Sequence, residues 1–251
     1  ESTLHCLDLF GASQKVAKTW QKRGHQAESF DIKTGGQLRD IVSKTGFLHL
    51  MHLGLRLVDG GIVVGGPPCS LFVFLSSSVH MRHIFSPSGC PWNDKVRLAN
   101  QIVRNVATFI RVLKTQRKTY VIFEQPAGSW MFKMHCFVEL IALLSLVCGH
   151  DMDKVTHLLG DLPTLGLMQR RMTKNVKNKL KEKRKANMKS NKAKVYYVAD
   201  KTMGKVSGGR DLPASAYYTT SFCNALYKCW LHDFTEPAAA SSRPNLSRDV
   251  S

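Results

Sequence analysis

Short apolar stretches of β-type residues alternate with helical stretches along the first half of the chain, and this alternation constrains the fold most. Strands are predicted at Thr3–Phe10, Gln26–Phe30, Gly61–Val64 and Thr119–Phe123. Helices are predicted at 14–23, at 37–57 with a break near Gly46, and at 94–115 after a capping Asn93. Strands separated by helices are typical of a parallel sheet covered by helices. We therefore predict an α/β fold with a mostly parallel sheet flanked by helices.

The second half of the chain carries weaker signals. A buried helix is predicted at 136–148, strands at 155–159 and 195–198, and a last amphipathic helix at 214–231. We divide the chain into a core at 1–172, a Lys-rich insert at 173–194, the C-terminal part of the core at 195–235 and a disordered tail at 236–251. No apolar run reaches the roughly 20 residues that span a bilayer, so no membrane partner is expected.

Positive charge is concentrated in one segment. The net charge is +18, and residues 170–194 hold twelve Lys or Arg against one acid, Glu182, which accounts for eleven of these charges. Such a segment fits a polyanion, because each neutralised phosphate releases counterions. Lys177, Lys179, Lys181 and Lys183 are therefore predicted to contact nucleic acid. A solvated Lys-rich loop or a nuclear-import signal are the alternatives.

Distinctive residues follow four of the predicted strands. Asp8-Leu9-Phe10-Gly11-Ala12 ends the first strand, Asp31 ends the second, Gly66-Pro67-Pro68-Cys69-Ser70 follows the third, and Glu124-Gln125-Pro126 follows the fourth. Ligands of open α/β sheets bind at the carboxyl ends of the strands. Asp31 lies 23 residues after Asp8, close to the spacing expected of an acid that binds a ribose. The pattern therefore predicts an adenosine-containing cofactor at this edge.

The order DLF-G, PPCS and an acidic E-x-P resembles the DNA cytosine-5 methyltransferases, and especially the divergent methyltransferase-like domains of dinoflagellate and other algal genomes. The resemblance covers about residues 3–130. It implies a Rossmann-like fold that binds S-adenosylmethionine through Asp8, Phe10, Gly11, Ala12, Asp31 and Pro67. It also implies Cys69 as the nucleophile and Glu124 as its acid/base partner. Gln169-Arg170-Arg171 resembles a remnant of the family's Q-x-R-x-R strand, which adds Arg171 to the catalytic set.

Cytosine-5 chemistry explains these residue types. Carbon 5 of cytosine is a poor nucleophile, so a thiolate first adds to carbon 6, and Cys69 could supply it. A carboxyl group at ring nitrogen 3 stabilises the displaced electrons by sharing a proton, a role for Glu124 if burial raises its pKa. A base in a duplex would have to flip out of the helix. Arg82 and His83 lie on the loop after Cys69 and are predicted to contact phosphate or cover the site.

The sequence departs from the family at four places that keep alternatives open. Gly11-Ala12-Ser13-Gln14 follows Phe10 where the family has F-x-G-x-G, so Gln14 and Lys15 could crowd the approach that glycine permits. Ser70-Leu71-Phe72 follows the Pro-Pro-Cys motif in place of the usual Gln. Gln125-Pro126 replaces the Asn of E-N-V, and no long target-recognition region follows residue 172. The expected activity is cytosine methylation, with DNA favoured over RNA and a guiding protein partner as one source of specificity. The alternatives are an inactive nucleic-acid-binding module and an exocyclic-amine methyltransferase.

Two further expectations come from the cysteine and histidine content. Seven scattered cysteines without a CxxC pair indicate neither a disulfide framework nor a zinc knuckle, which favours a reducing, intracellular compartment. Nuclear import through the Lys-rich segment would place the chain in the nucleus. His80, His83 and Cys90 lack a fourth ligand at useful spacing, so no metal site is expected.

Overall fold

A computed structural model describes residues 2–73, 77–126, 128–143, 150–151, 155–168, 197–200, 205–208 and 218–236, with positions 175, 178 and 182. Its main sheet contains β1 (Leu4–Leu9), β2 (Ala27–Phe30), β3 (Leu57–Gly65), β4 (Tyr120–Pro126), β5 (His150–Asp151) and β6 (Val155–Gly160). The strand order is β2-β1-β3-β4-β6-β5. β6 is antiparallel to both β4 and β5, and the other neighbouring strands pair in parallel. A separate hairpin joins β7 (Tyr197–Asp200) to β8 (Lys205–Gly208).

Helices cover both faces of the sheet, which confirms the α/β prediction. They are α1 (Lys15–Gln21), α2 (Ile32–Gly35), α3 (Lys44–Leu55), α4 (Ser77–His80), α5 (Asp94–Gln116), α6 (His135–Leu143) and α7 (Thr220–Thr235). Short 3-10 helices lie at Gly36–Arg39, Trp130–Lys133 and Pro163–Met168. Among the residues that the structure describes, no helix is both long and apolar enough to cross a membrane.

The alternation of side chains along the strands divides the core into two layers. In β1, Leu7 and Leu9 pack with α3, α5 and α6, whereas Cys6 packs with α1 and α7 on the opposite face. Trp20 of α1 and Trp230 of α7 are fully buried in this second layer, with ring centroids 5.4 Å apart. The β1–β3 register shifts between Leu4 and Cys6, so the alternation holds from Cys6 onward, and Asp8 lies on the same face as Cys6, toward α1 and α7.

The helix boundaries agree with one predicted cap and correct one predicted break. Asn93 Oδ1 accepts hydrogen bonds from the backbone N–H groups of Lys95 and Val96, so α5 begins where the cap predicted. The break predicted near Gly46 lies at 40–43, between the 3-10 segment Gly36–Arg39 and α3, because Ser43 caps α3 and Gly46 lies inside it. A Cβ atom on Gly46 would lie 2.0 Å from the carbonyl oxygen of Asp40. Glycine is needed there for close packing within a continuous helix.

β4 is longer than predicted, and the difference affects the candidate site. The strand does not end at Phe123 but continues to Pro126, because β6 pairs with it beyond the end of β3. Glu124 is opposite Leu158 and Pro126 is opposite Thr156 in this antiparallel pair. The sheet therefore fixes the backbone of Glu124.

Candidate active site

The strand order places a topological switch point between β1 and β3. β2 lies on one side of β1, while β3 and β4 extend the sheet on the other side. Ligands of open α/β sheets bind in the crevice outside the carboxyl ends of the strands at such a point. Here the crevice lies between the turn after β1, at 10–14, and the segment after β3, at 66–70. These are two of the segments that the sequence analysis singled out.

Asp8 is buried at the end of β1, and only one of its two carboxyl oxygens accepts a hydrogen bond from a described group. Its Oδ2 atom accepts a hydrogen bond of 3.2 Å from the backbone N–H of Ala17, near the start of α1. Its Oδ1 atom is buried and accepts no hydrogen bond from any described group. The carboxyl group lies over Gly11, where a Cβ atom would be 2.3 Å from Asp8 Cγ. Glycine at position 11 is therefore required for Asp8 to occupy this position.

The turn after β1 also contains backbone strain. Phe10 has a φ of 65° and Gln14 a φ of 54°, in the left-handed region that non-glycine residues rarely adopt. Each such residue costs on the order of 1 kcal/mol, and such residues cluster at ligand-binding turns. Gln14 occupies the left-handed position directly before α1, with no capping bond from its side chain. Strain and an unpartnered carboxyl oxygen therefore occur in the same turn.

Burial raises the pKa of Asp8 to about 7. The N–H groups of Ala17 and Val16 oppose this rise, and the negative charge of Asp31 contributes to it. In the folded chain Asp8 therefore holds a proton that the unfolded chain releases near pH 4. Its contribution to stability is full below pH 4 and is lost as the pH rises toward 7, because the native state binds more protons in that window.

We expect Asp8→Asn to remove this pH dependence. Asparagine can still accept the Ala17 N–H but cannot ionise, so the difference in the free energy of unfolding between variant and wild type should grow by roughly 2 to 4 kcal/mol from pH 5 to pH 8. Urea denaturation at both pH values measures it. Asp94→Asn is the control, because the Asp94 side chain is 85% exposed. Parallel pH profiles for wild type and Asp8→Asn would contradict a raised pKa for Asp8.

Asp31 follows β2 at the same edge of the sheet. It is 7% exposed, and its Oδ1 atom accepts a 2.7 Å hydrogen bond from the backbone N–H of Lys33, which caps α2. Asp8 lies opposite Ser29 in the parallel pair of β1 and β2, two residues before Asp31, and the negative charge of Asp31 contributes to the raised pKa of Asp8. The structure thus brings together two of the acids predicted for cofactor binding.

The segment after β3 is fixed to the end of β4 by a residue to which the sequence assigned no role. Gln125 is fully buried, and its Nε2 donates a 2.6 Å hydrogen bond to the carbonyl oxygen of Pro67. Its Oε1 accepts a 2.9 Å hydrogen bond from the Ser129 hydroxyl. Gln125 therefore links the strand that carries Glu124 to the turn that carries Cys69. The sequence had offered Gln125 only as a departure from a motif.

An apolar cavity lies beside the two prolines. It has a volume of about 210 Å³ and separates Pro67 and Pro68 from the first half of α5, where Ala99 and Val103 line it. Phe72, which closes it near the loop, is buried. Its lining is apolar apart from Lys95, which suits the apolar face of a ligand. Pro67, predicted to contact the cofactor, lies between this cavity and the crevice.

Tyr218 fills the crevice itself. A Cβ atom at Gly66 would lie 2.6 Å from the Tyr218 hydroxyl oxygen and 3.9 Å from Glu124 Oε2. The hydroxyl is buried without a hydrogen-bond partner, and the ring stacks on Phe222 at 4.9 Å. Burial raises the pKa of Tyr218 well above its usual value, and the electrostatic influence of Glu124, Asp8, Cys223 and Cys69 acts in the same direction. The ends of β1, β3 and β4 therefore converge on one phenol, which sequence reasoning missed.

Arg82 is placed differently from its prediction. It was expected to contact phosphate, but it is 2% exposed and donates to the carbonyl oxygens of Leu71 and Pro87 and to Asn100 Oδ1, at 2.6–3.0 Å. The guanidinium also lies 4.1 Å from the centre of the Phe72 ring. The prediction is wrong, because Arg82 holds the loop after Cys69 together from inside.

The surface of that loop is apolar. Phe85 is 92% exposed and Trp92 is 86% exposed, with Met81 and Ile84 also largely exposed. His83 is exposed beside Phe85, at 6.4 Å between ring centroids, so its predicted contact with phosphate stays a prediction. Arg171, Lys177, Lys179, Lys181 and Lys183 lie outside the described residues. No described group of three His, Cys, Asp or Glu side chains could hold a metal ion.

Comparison with models of known protein families finds no match, and comparison with curated protein sequences finds no significant match. A functional conclusion therefore rests on the geometry of the crevice and its surroundings.

Proposed function

We propose that this chain is an S-adenosylmethionine-dependent methyltransferase with a Rossmann-like fold that acts on carbon 5 of cytosine in nucleic acid, with DNA as the expected substrate. The supporting observation is the convergence at the switch point. Asp8 and Glu124 act electrostatically on one buried phenol together with Cys69, and Asp31 acts on Asp8. A thiol, a carboxyl group and two acids suited to a cofactor therefore share one edge of the sheet.

The residues of this edge fit the cofactor in chemical type. The unpartnered Oδ1 of Asp8 and its raised pKa suit a cationic group of the ligand, which would stabilise the ionised carboxylate. Asp31 suits two ribose hydroxyls, Phe10, Gly11 and Ala12 form the turn beside them, and the cavity at Pro67 suits the apolar face of a ligand. When bound, S-adenosylmethionine would supply an electrophilic methyl group. A ligand over Gly66 needs the Tyr218 ring to turn away or to donate its hydroxyl hydrogen bond to the ligand.

The roles of the chain's own residues follow from their positions. The Cys69 thiolate adds to carbon 6 of cytosine, and Glu124 holds a proton at ring nitrogen 3 while the ring carries the extra electron pair. Once carbon 5 carries the methyl group, solvent takes its proton, the pair of the broken carbon 5–hydrogen bond re-forms the double bond between carbons 5 and 6, and Cys69 leaves carbon 6 as a thiolate. Gln125 keeps the Cys69 turn and the Glu124 strand in register. The exposed Phe85 and Trp92 suit the space that a flipped base leaves in a duplex.

An inactive nucleic-acid-binding module is the second candidate, and Tyr218 is the observation that favours it. A phenol packed over Gly66 and stacked on Phe222 closes the crevice between Asp8 and Glu124. Such a chain would retain the sheet and the basic surfaces without binding the cofactor. Cofactor binding therefore separates the two candidates.

We expect titration calorimetry to detect S-adenosylmethionine binding to the wild-type chain, and Asp31→Ala to weaken it about tenfold or more. The loss of a carboxylate that accepts hydrogen bonds from a ligand costs about 1.5 to 3 kcal/mol. Asp40→Ala is the matched control, because Asp40 also accepts a hydrogen bond from the backbone N–H two residues later but follows no strand. Absence of binding by the wild type would exclude methyl transfer and leave the inactive module. Equal losses in both variants would contradict the role of Asp31.

A further inference from the structure

A basic groove lies between α1 and α7, away from the apolar cavity beside Pro67. Lys15, Lys18, Lys22 and Arg23 form one wall, and Thr220 and Asn224 of α7 lie opposite, around a cavity of about 390 Å³. All four cations are exposed. Lys15 follows directly after the turn that ends β1. Burial raises the pKa of Cys223 on α7 to about 11, and the positive charge of Lys15 acts against this rise. The groove therefore begins beside the crevice and continues along α1.

The cations of the groove lack acidic neighbours. Residues 9–27 contain no Asp or Glu, and the one acid of α7, Asp233, is buried and accepts hydrogen bonds from Thr164. Within the described ranges, none of the four cations forms an ion pair. Four like charges along less than three helical turns repel one another unless an anion lies between them. The groove is thus unbalanced in charge and suited to an anionic ligand.

Arg23 is held in place at the far end of the groove. Its guanidinium lies 4.5 Å from the centre of the Tyr227 ring, and its N–H groups donate to the Thr19 carbonyl oxygen and to Asn224 Oδ1, each at 2.7 Å. Two of its five donors are used in these bonds, and the remaining ones are available to a ligand. Because Arg23 is already ordered, binding an anion there loses little side-chain entropy.

The spacing of the cations indicates a chain of phosphates. Lys15 and Lys22 are separated by about 10 Å along the helix axis, at a rise of about 1.5 Å per residue. Phosphates follow at about 3.4 Å along the axis of each duplex strand and lie farther apart in an extended single strand, so the row spans about two or three phosphates of a single strand. A membrane surface fits less well, because it needs apolar side chains beside the cations. None of the large exposed apolar side chains of the described residues lies on α1 or α7.

We propose that this groove binds the phosphate backbone of a single nucleic-acid strand next to the crevice. Lys15, Lys18 and Lys22 contact successive phosphates, and Arg23 contacts the same phosphate as Lys22. The polar wall of α7 admits a strand without selecting bases, because phosphate contacts position without specifying sequence. The inference rests on the proposed function in taking nucleic acid as the ligand, but its test measures binding without methyl transfer.

The test compares two double variants of the full chain by fluorescence anisotropy with a labelled single-stranded oligonucleotide over a range of KCl concentrations. We expect Lys18→Gln with Lys22→Gln to lower affinity about tenfold and to reduce the slope of log K against log salt by about 1.4, at about 0.7 per lost phosphate contact. Lys118→Gln with Lys133→Gln changes the net charge equally at exposed sites outside the groove, and should have a much smaller effect. Circular dichroism melting confirms that both variants fold.

Equal losses in the two double variants would overturn the proposal, since the effect would then follow net charge alone. Unchanged oligonucleotide binding in the groove variant would also overturn it. Flotation with phosphatidylserine vesicles tests the lipid alternative: loss of vesicle binding with oligonucleotide binding retained would assign the groove to a membrane surface. Because Cys69 is intact in every variant and no methyl donor is added, failure of methyl transfer in a separate assay leaves this result unaffected.

Discussion

Cys69→Ser is expected to abolish covalent trapping on an oligonucleotide that contains 5-fluorocytosine. Fluorine at carbon 5 cannot leave as a proton does, so the adduct between the thiol and carbon 6 persists after methyl transfer. A hydroxyl is far less nucleophilic than a thiolate near neutral pH, and losing a nucleophile lowers turnover on the order of 10³-fold or more. The adduct is measured as a slow band on a denaturing gel in the presence of S-adenosylmethionine.

Cys90→Ser is the matched control for this result. Cys90 is also partly buried on the loop that follows β3, but it does not follow the two prolines, so its replacement should leave the adduct unchanged. An adduct that persists in Cys69→Ser would exclude Cys69 as the nucleophile. Methyl transfer without any adduct would favour an exocyclic-amine methyltransferase, which needs no thiol.

Arg82→Met is expected to lower the free energy of unfolding by about 3 to 5 kcal/mol. The substitution keeps most of the side-chain volume but removes the donors to Leu71, Pro87 and Asn100, and a hydrogen bond from a charged donor is worth about 1.5 to 3 kcal/mol. The contact with the Phe72 ring is lost as well. Urea denaturation measures the change.

The control for the stability loss in Arg82→Met is Arg97→Met on α5. Arg97 pairs with Asp94 on the surface of α5, where such a pair contributes at most about 1 kcal/mol. A loss of oligonucleotide binding in Arg82→Met with unchanged stability would contradict the structural role and restore the phosphate contact that the sequence predicted. The stability and the oligonucleotide binding of Arg82→Met together decide whether Arg82 stabilises the loop after Cys69 or binds the ligand.

The local elements of this fold could be predicted because their causes are local. An apolar stretch in β1, a capping Asn93 and the abrupt Gly-Pro-Pro end of β3 each depend on neighbouring residues. The order of acidic and Pro-Cys motifs after successive strands also placed Asp8, Asp31, Cys69 and Glu124 on one edge, since parallel strands end together. The predicted bounds were wrong where a partner distant in sequence decides where an element ends, as when pairing with β6 extends β4 past Phe123.

The sequence by itself determined the α/β class and the residues that end the strands, because hydrophobic periodicity and capping act over a few residues. Only the tertiary structure decided what lies over those ends. Tyr218, which lies just before α7 and about 150 residues after Gly66, fills the crevice. Gln125 donates a hydrogen bond to Pro67, and Arg82 is buried inside its loop. The basic groove likewise exists only because α1 and α7 pack side by side. Such contacts depend on long-range packing, to which neither residue type nor local spacing is a guide.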